Sequence, residues 1–266
     1  MKISGWGKYP KIDVKIVSPN SIDELTEAIS MNNAIARGNG RSYGDSSISK
    51  QNTICMKNFN KIINFDMQNG LLTVESGVLL SQIIENYLTK GWFPKVSPGS
   101  KFVTVGGMVA CDVHGKNHHK DGSFGNYIEW LDIITSEGEI KRCSKKINSE
   151  LFNWTIGGMG LTGTIIRVAF YLHPVRTSWI KQKTIPAKNI DHAFEIFEKT
   201  LDTTYSVAWI DCLSTGKNLG RSLVMLGEHA EISDLKSDMK KKPLALKNKF
   251  KIRIPFNFPS FILNSI

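Results

Sequence analysis

Residues 106–126 read GGMVACDVHGKNHHKDGSFGN. Five glycines, three histidines and two lysines, Lys116 and Lys120, fall in this one run, between the apolar patches TVGGMVA and YIEWLDIIT. Glycine at this density lets a backbone approach a ligand closely. The His and Lys side chains are then aimed at the same ligand. The stretch predicts a loop on which a site is assembled, with the rest of the chain as a scaffold that brings further loops to it.

Working upstream, Ala34–Arg37 reads as a short strand that runs straight into Gly38-Asn39-Gly40-Arg41-Ser42-Tyr43-Gly44. Before it, residues 11–17 alternate as a strand. Ser21-Ile22-Asp23-Glu24 reads as a capping box, opening a helix with Ile22, Leu25 and Ile29 on one face and Asn32-Asn33 at its end. This β-α-β opening sets a glycine loop at the C-terminal end of a strand, where α/β folds hold ligands. The loop is GxGxxxG and no amphipathic helix follows, which excludes a Rossmann fingerprint. No Gly-Lys is followed by Ser or Thr, which excludes a P-loop. Two readings remain. One is an anion nest of backbone N–H groups with Arg41 and Ser42 beside it, suited to a diphosphate. The other is a tight turn requiring positive φ.

Residues 61–76 predict a hairpin with Asn69-Gly70 as a two-residue turn. Leu80, Ile83, Ile84, Tyr87 and Leu88 mark a helix face that Gly91 ends. Pro98-Gly99-Ser100 is a turn just before the opening stretch. A second hairpin turns at Glu137-Gly138. A third glycine cluster, Gly157, Gly158, Gly160 and Gly163, runs into a strand at Thr164. Near His173-Pro174 the composition shifts. Downstream are a strand in WIKQKTIP, a helix with Ile190, Phe194, Phe197 and Leu201 on one face, and strands in AWIDCLS and SLVMLGEHA. The expected domains are 5–174 and 175–266.

At 266 residues with 41% hydrophobic and 22% charged residues, the chain has the composition of a soluble globular protein. The net charge of +10 favours an anionic partner. Much of it lies between Lys236 and Arg253, where eight basic residues face the single acid Asp238. That run is either a solvated face or a contact with anionic lipid headgroups, with Phe256, Phe258, Phe261 and Ile262 at the interface. The basic tail and the glycine loops are separate, so no nucleic-acid partner is expected. Cys55, Cys111, Cys143 and Cys212 form no CxxC pair, which suits a reducing compartment. The N-terminus carries no apolar signal region and no run reaches the length of a membrane span, so a cytoplasmic location is expected, with peripheral contact at an inner membrane surface as an extension. His114, His118 and His119 do not predict a metal site, because Gly115 and Asn117 disfavour the helix that would align them and no carboxylate supports it.

Three separated glycine loops imply a long ligand, and a dinucleotide with a flat ring at one end fits better than a mononucleotide. ARGNGRSYGDSS, VSPGSKFVTVGGMVACDVHGKNHHKDGSFGN and IGGMGLTG, in that order and spacing, resemble the flavoenzymes of the p-cresol methylhydroxylase/vanillyl-alcohol oxidase type. Among these they are most similar to the decaprenylphosphoryl-ribose 2′-oxidases and more loosely to the aldonolactone oxidases. The resemblance is strong over residues 5–175. It implies an α+β fold: a two-subdomain FAD-binding domain, followed by the start of an incomplete α/β substrate domain.

The resemblance also implies residue roles. Arg37, Gly38, Asn39, Gly40, Arg41, Ser42, Tyr43 and Gly44 would wrap the FAD diphosphate, continued by Pro98, Gly99, Ser100, Gly106 and Gly107. Cys111, Val113, His114 and Gly115 would run beside the isoalloxazine ring. Gly158, Gly160, Gly163 and Thr164 would close on the adenine side or the diphosphate. Tyr43 stands where related oxidases carry a flavin-linking histidine, so the FAD would be noncovalent. His114 and Lys116 would be the catalytic pair. His114 would orient substrate or flavin, and Lys116 would polarise a hydroxyl or hold a substrate phosphate. The implied reaction is oxidation of a sugar's secondary alcohol, on a polyprenylphosphoryl pentose or a soluble aldonolactone or alditol, with an epimerase or reductase as partner. Members of the family are longer, and their C-terminal parts complete the site. The chain is therefore expected to be a fragment or a truncated form, and a flavin-binding piece without turnover is the third possibility.

Overall fold

The computed structural model describes residues 1–31 and 33–246, together with Pro259 and Phe261. It divides into two compact units, Met1–Val175 and a second from Arg176 on. Lys247, Lys249, Lys251, Arg253, Phe256, Phe258 and Ile262 of the proposed lipid-contacting run lie outside the described residues.

In the first unit, β1 (Lys2–Ile3) pairs antiparallel with β2 (Ile12–Asp13). β3 (Ile16–Val17) belongs to a different sheet. The single strand expected over 11–17 is therefore two short ones, with Val14 buried between them. α1 (Ile22–Ser30) starts as the capping box requires: the Glu24 amide donates to Ser21 Oγ at 3.2 Å. The Glu24 carboxylate accepts from the Asn20 amide at 2.8 Å, one residue earlier than the usual box. Leu25, Ala28 and Ile29 are its buried stripe. β4 (Ala34–Arg37) and β5 (Asn52–Cys55) follow, and the parallel sheet runs β3-β5-β4. Its core is Leu25, Ile54, Met56 and Phe59 with Ile134 and Ile166.

β6 (Ile62–Asp66) and β7 (Leu71–Glu75) form the first hairpin. Its turn is longer than expected. Asp66 pairs with Leu71, and residues 67–70 form the loop. The Asp66 carboxylate accepts from the Gln68 amide and Asn69 Nδ2, and Gly70 closes the turn at φ +74°. That local side-chain capture outcompetes the two-residue Asn-Gly turn. α2 (Leu80–Tyr87) buries Leu80, Ile83 and Tyr87, and Gly91 ends the following turn at φ +83°. β8 (Trp92–Pro94) leads to α3 (Val105–Ala110) and the one-turn α4 (His118–Asp121).

β9 (Ile128–Ile134) and β10 (Ile140–Ser144) make the second hairpin, with Gly138 at φ +81° in its turn. α5 (Ser149–Thr155) precedes the third glycine cluster, and β11 (Thr164–Pro174) follows it. The large antiparallel sheet runs β10-β9-β11-β7-β6 with β8 on β11. Its core contains Leu72, Val74, Ile83, Met108, Phe124, Leu131, Phe152 and Phe170. On β9, Asp132 is buried and ion-paired to Arg142 at 2.8 Å and Arg167 at 2.9 Å. Arg142 also lies over the Trp130 ring at 3.7 Å.

The second unit holds β12 (Ile180–Ala187), α6 (Ile190–Lys199), β13 (Tyr205–Ile210) and β14 (Ser222–His229), with sheet order β12-β14-β13. α6 packs Ala193, Ile196 and Phe197 on Ala187, Val224 and Leu226. The expected face was partly wrong, since Phe194 and Leu201 are each 60% exposed. Small Ala193 lets the helix sit close to the sheet and turns the larger residues outward. Asp211 accepts from the Leu213 amide, Ser214 Oγ and Arg221 Nε, which hold its carboxyl down at about 2. Among the described residues, no helix is long and apolar enough to cross a membrane.

Candidate cofactor site

α3 is the element that organises the site, and it corrects the expectation of a loop at Gly106 and Gly107. Thr104 caps it, accepting from the Gly107 amide at 3.3 Å, and Val105, Met108 and Val109 are buried. The Val105 and Gly106 amides donate to the carbonyls of Val78 and Ser76. Its first-turn donors are thus taken up by the protein itself. What the glycines contribute is closeness: a Cβ on Gly106 would sit 2.8 Å from Ser76 Cβ, and one on Gly38 would run into Thr104 Oγ1. The first glycine loop therefore lies directly against the helix cap.

That loop is the open donor array. Among the described residues, the amides of Gly38 to Tyr43 have no acceptor. Gly40 at φ +64° and Gly44 at φ +59° supply the curvature of a nest. Asn39 Nδ2 donates to the Phe102 carbonyl at 2.8 Å, tying the loop to the segment after Pro98-Gly99-Ser100. Arg37 does not face outward. Its guanidinium is tucked inside the loop, donating to Ser47 Oγ at 3.1 Å and the Ser4 carbonyl at 2.7 Å, and burial pulls its pKa below the ordinary value. Arg41 lies 5.1 Å from the Trp6 ring, and Trp6 is stitched in by its amide to the Ser42 carbonyl at 2.7 Å.

The third cluster docks on the other end of α3. Gly157 and Met159 amides donate to the carbonyls of Val109 and Ala110. Cys111 Sγ lies 3.8 Å from Met159 Sδ. Although Cys111 is exposed at its edge, desolvation around the sulfur pushes its thiol up, as expected of a packing thiol rather than a nucleophile.

Between these parts lies a cavity of about 750 Å³. Of the anticipated residues, Gly38, Asn39, Gly40, Arg41, Ser42, Tyr43, Pro98, Gly99, Ser100, Gly106, Gly107, Cys111, Val113, Gly160 and Gly163 line it. Arg37, Gly44, His114, Gly115, Lys116, Gly158 and Thr164 do not. Arg37 and Gly158 shape the loops from behind: a Cβ on Gly158 would meet the Trp154 carbonyl. Trp6, Ser76, Thr104 and Met159 line the cavity and were not anticipated. Thr104 carried a readable signal, a Thr one residue before an apolar turn; the others are brought in by tertiary contacts. The volume falls within the range of cofactor pockets. Two buried polar atoms on its wall, Arg41 Nε and Ser76 Oγ, have no protein partner. An open nest, a glycine-lined wall and orphaned polar atoms fit a dinucleotide.

His114 and Lys116 stand on the exposed loop leaving the C-terminal end of α3, directly after cavity residues Cys111 and Val113. His114 bridges to Ser123, and its ring is 5.0 Å from that of His118. The loop is pinned from below by Asn117, which is 1% exposed. Its Nδ2 donates to the Lys95 carbonyl at 2.9 Å and to Asp121 Oδ2 at 2.8 Å, and Lys95 pairs with Asp121 at 3.0 Å. Burial pushes the Asp121 carboxyl up, but the Lys95 and Asn117 contacts outweigh it and hold the pKa below the usual range. Among the described residues, no cluster of His, Cys, Asp or Glu could hold a metal.

Residues 15–144 match the family described as FAD binding domain. The chain is 33% identical to decaprenylphosphoryl-beta-D-ribose oxidase of Mycolicibacterium smegmatis over 276 residues, 99% of this chain and 59% of that protein. It is 34% identical to an uncharacterized protein in the mprA 5′ region of Streptomyces coelicolor, over 64% of this chain and 46% of that one. It is 25% identical to a D-arabinono-1,4-lactone oxidase, itself assigned as putative, of Neurospora crassa, over 73% of this chain and 34% of that protein. The chain thus spans about three-fifths or less of the length of these relatives. With the nest, the glycine wall and this match together, residues 15–144 are an FAD-binding domain.

Proposed function

We propose that the chain holds FAD noncovalently and oxidises a secondary alcohol of a sugar, the 2′-hydroxyl of a polyprenylphosphoryl pentose. The observation that carries this reading is the placement of His114 and Lys116 on a pinned loop at the end of α3, one step beyond the cavity wall. FAD, when bound, supplies the hydride acceptor. Gly38 to Tyr43 would hold the diphosphate, and Cys111 and Val113 would flank the reacting ring. The alcohol loses a hydride from carbon and a proton from oxygen. Lys116 would polarise that oxygen or neutralise the substrate's phosphate, and His114 would orient the sugar. Tyr43 is 75% exposed and offers no histidyl link, which supports a noncovalent cofactor.

The substrate class follows the similarity to the mycobacterial ribose oxidase, and an epimerase or reductase that uses the ketone fits the same reading. Similarity to a lactone oxidase supports the alternative, a soluble aldonolactone or alditol. A cytoplasmic location, at the surface of the inner membrane when the substrate is lipid-linked, completes the proposal.

The test is a visible spectrum of purified protein, followed by anaerobic addition of a polyprenylphosphoryl ribose or a free aldonolactone. Flavin bleaching by the lipid-linked sugar alone is expected, slowed about 10²- to 10⁴-fold in H114A or K116A. Bleaching by the lactone alone selects the alternative. A flavin spectrum that neither substrate bleaches makes this chain a binding piece of a longer enzyme. Colour retained in an acid-precipitated pellet overturns the noncovalent assignment.

A further inference from the structure

The hairpin of β1 and β2 has two unlike sides. Ile3 and Ile12 are half-buried and Val14 is buried, whereas Lys2, Lys11, Asp13 and Lys15 are exposed. Alternation along the two extended segments gathers the three lysines on the outer side. Asp13 is the one acid among them, and it lies 3.1 Å from the amino terminus. Among the described residues, none of the three lysines has a carboxylate partner. The tip of the hairpin is aromatic. Trp6 is 53% exposed and Tyr9 81%. Tyr43, 75% exposed, stands against the same tip: a Cβ on Gly7 would lie 3.8 Å from Tyr43 Cδ1, and the Trp6 amide holds the Ser42 carbonyl. Three large aromatic side chains projecting together mark an interaction surface.

The chemistry of that surface points to its partner. Trp and Tyr rings beside lysines match the headgroup layer of a bilayer, where the rings sit among the headgroups and the lysines meet phosphate. Single-stranded nucleic acid is instead held along a positively charged groove. None of the three lysines lines the cavity, and Tyr9 projects from a turn, so no charged groove runs past the rings. Trp6 and Tyr43 do stand on the cavity wall. A bilayer met by this tip lies at the cavity's rim, where a lipid-linked molecule would enter.

We propose that the β1-β2 tip, with Tyr43, docks this chain on an anionic lipid bilayer. It is a different surface from the basic run that begins at Lys236. The inference deepens the reading of a lipid-linked substrate and rests on it for its purpose. The probe is the full chain with vesicles of phosphatidylglycerol or of phosphatidylcholine, separated by sedimentation. Binding to phosphatidylglycerol that weakens as salt rises is expected, with little binding to phosphatidylcholine. K2A/K11A/K15A should bind phosphatidylglycerol about a hundredfold more weakly, at about fivefold per lysine. Tyr9→Ser should cost about tenfold, for partial burial of one ring. K240A/K241A/K242A, in the other basic run, should stay within about twofold of the unaltered protein. The hairpin variants keep their urea midpoints and flavin spectrum, because the altered side chains are exposed and off the cavity wall.

No binding to phosphatidylglycerol, equal binding to phosphatidylcholine, or a larger loss from the Lys240–Lys242 variant than from the hairpin variants each overturns the inference. So does a fluorescent single-stranded oligonucleotide held more tightly than the vesicles and released by the same hairpin substitutions. Vesicle binding by a protein whose flavin no lipid-linked sugar bleaches would instead sink the substrate reading and leave the docking surface standing.

Discussion

Two glycines of the site ask for opposite outcomes from the same substitution. Gly99 has open space around it: no atom lies within 4 Å of where its Cβ would be. Gly99→Ala therefore leaves the flavin-free protein within about 0.5 kcal/mol of its original stability. If the diphosphate rests against this turn, the added methyl lies where the cofactor must go. It displaces contacts of the charge-assisted kind, each worth about 1.5–3 kcal/mol. At about 1.4 kcal/mol per factor of ten, that is a ten- to hundredfold loss of FAD affinity.

Gly38 is the control, because a Cβ there runs into Thr104, which is 3% exposed and caps α3. Gly38→Ala should cost about 1–3 kcal/mol of stability before any ligand is added. Urea unfolding of the apoproteins and fluorescence titration with FAD read the two quantities separately. G99A binding FAD as tightly as the unaltered protein would refute the placement of the diphosphate. G99A that unfolds early would show that the turn has a structural task the open space conceals.

Asp132→Asn removes the carboxylate from two arginines that are themselves 47% and 44% exposed. They can re-solvate, so the expected cost is about 1–3 kcal/mol rather than that of a stranded buried charge; urea midpoints measure it. Asp121 has its folded pKa held below the ordinary carboxylate value. Its contribution to stability is full above the unfolded value and is lost as pH falls through the folded one. Asp121→Asn should therefore lower stability at neutral pH and flatten the acid limb of a melting-temperature profile. A parallel downward shift at every pH would argue against it.

The chain's local signals were legible where one residue type has one physical use. Ser21 before Ile22–Ser30, Gly91 at the end of a turn and Gly138 in a hairpin all stand where their conformational preferences place them. The reading failed where side chains compete or where glycine hides a helix. Asp66 captured the turn meant for Asn69-Gly70. Val105–Ala110 carries two glycines yet forms a helix, because Thr104 caps it and neighbouring carbonyls take its amides. For the site, motif order told which loops matter but not which way their side chains turn. Arg37 looked like a phosphate ligand and is an internal brace. Asn117 reads in the sequence only as a residue that disfavours a helix, and its burial and double donation appear only once Lys95 and Asp121 are folded against it.

Arg37's grip on the Ser4 carbonyl, with Trp6 hydrogen-bonded to Ser42, has a practical side. The first few residues are a strap across the glycine loop 38–44, and Gly5 lies so close under it that a Cβ would sit 2.5 Å from the Ser42 carbonyl oxygen. A protease that trims this strap would bleach the protein without unfolding it, because both hydrophobic cores of the first unit are built from residues further along the chain. Loss of colour on storage, with the melting temperature unchanged, would then report on seven residues at the N-terminus rather than on the fold.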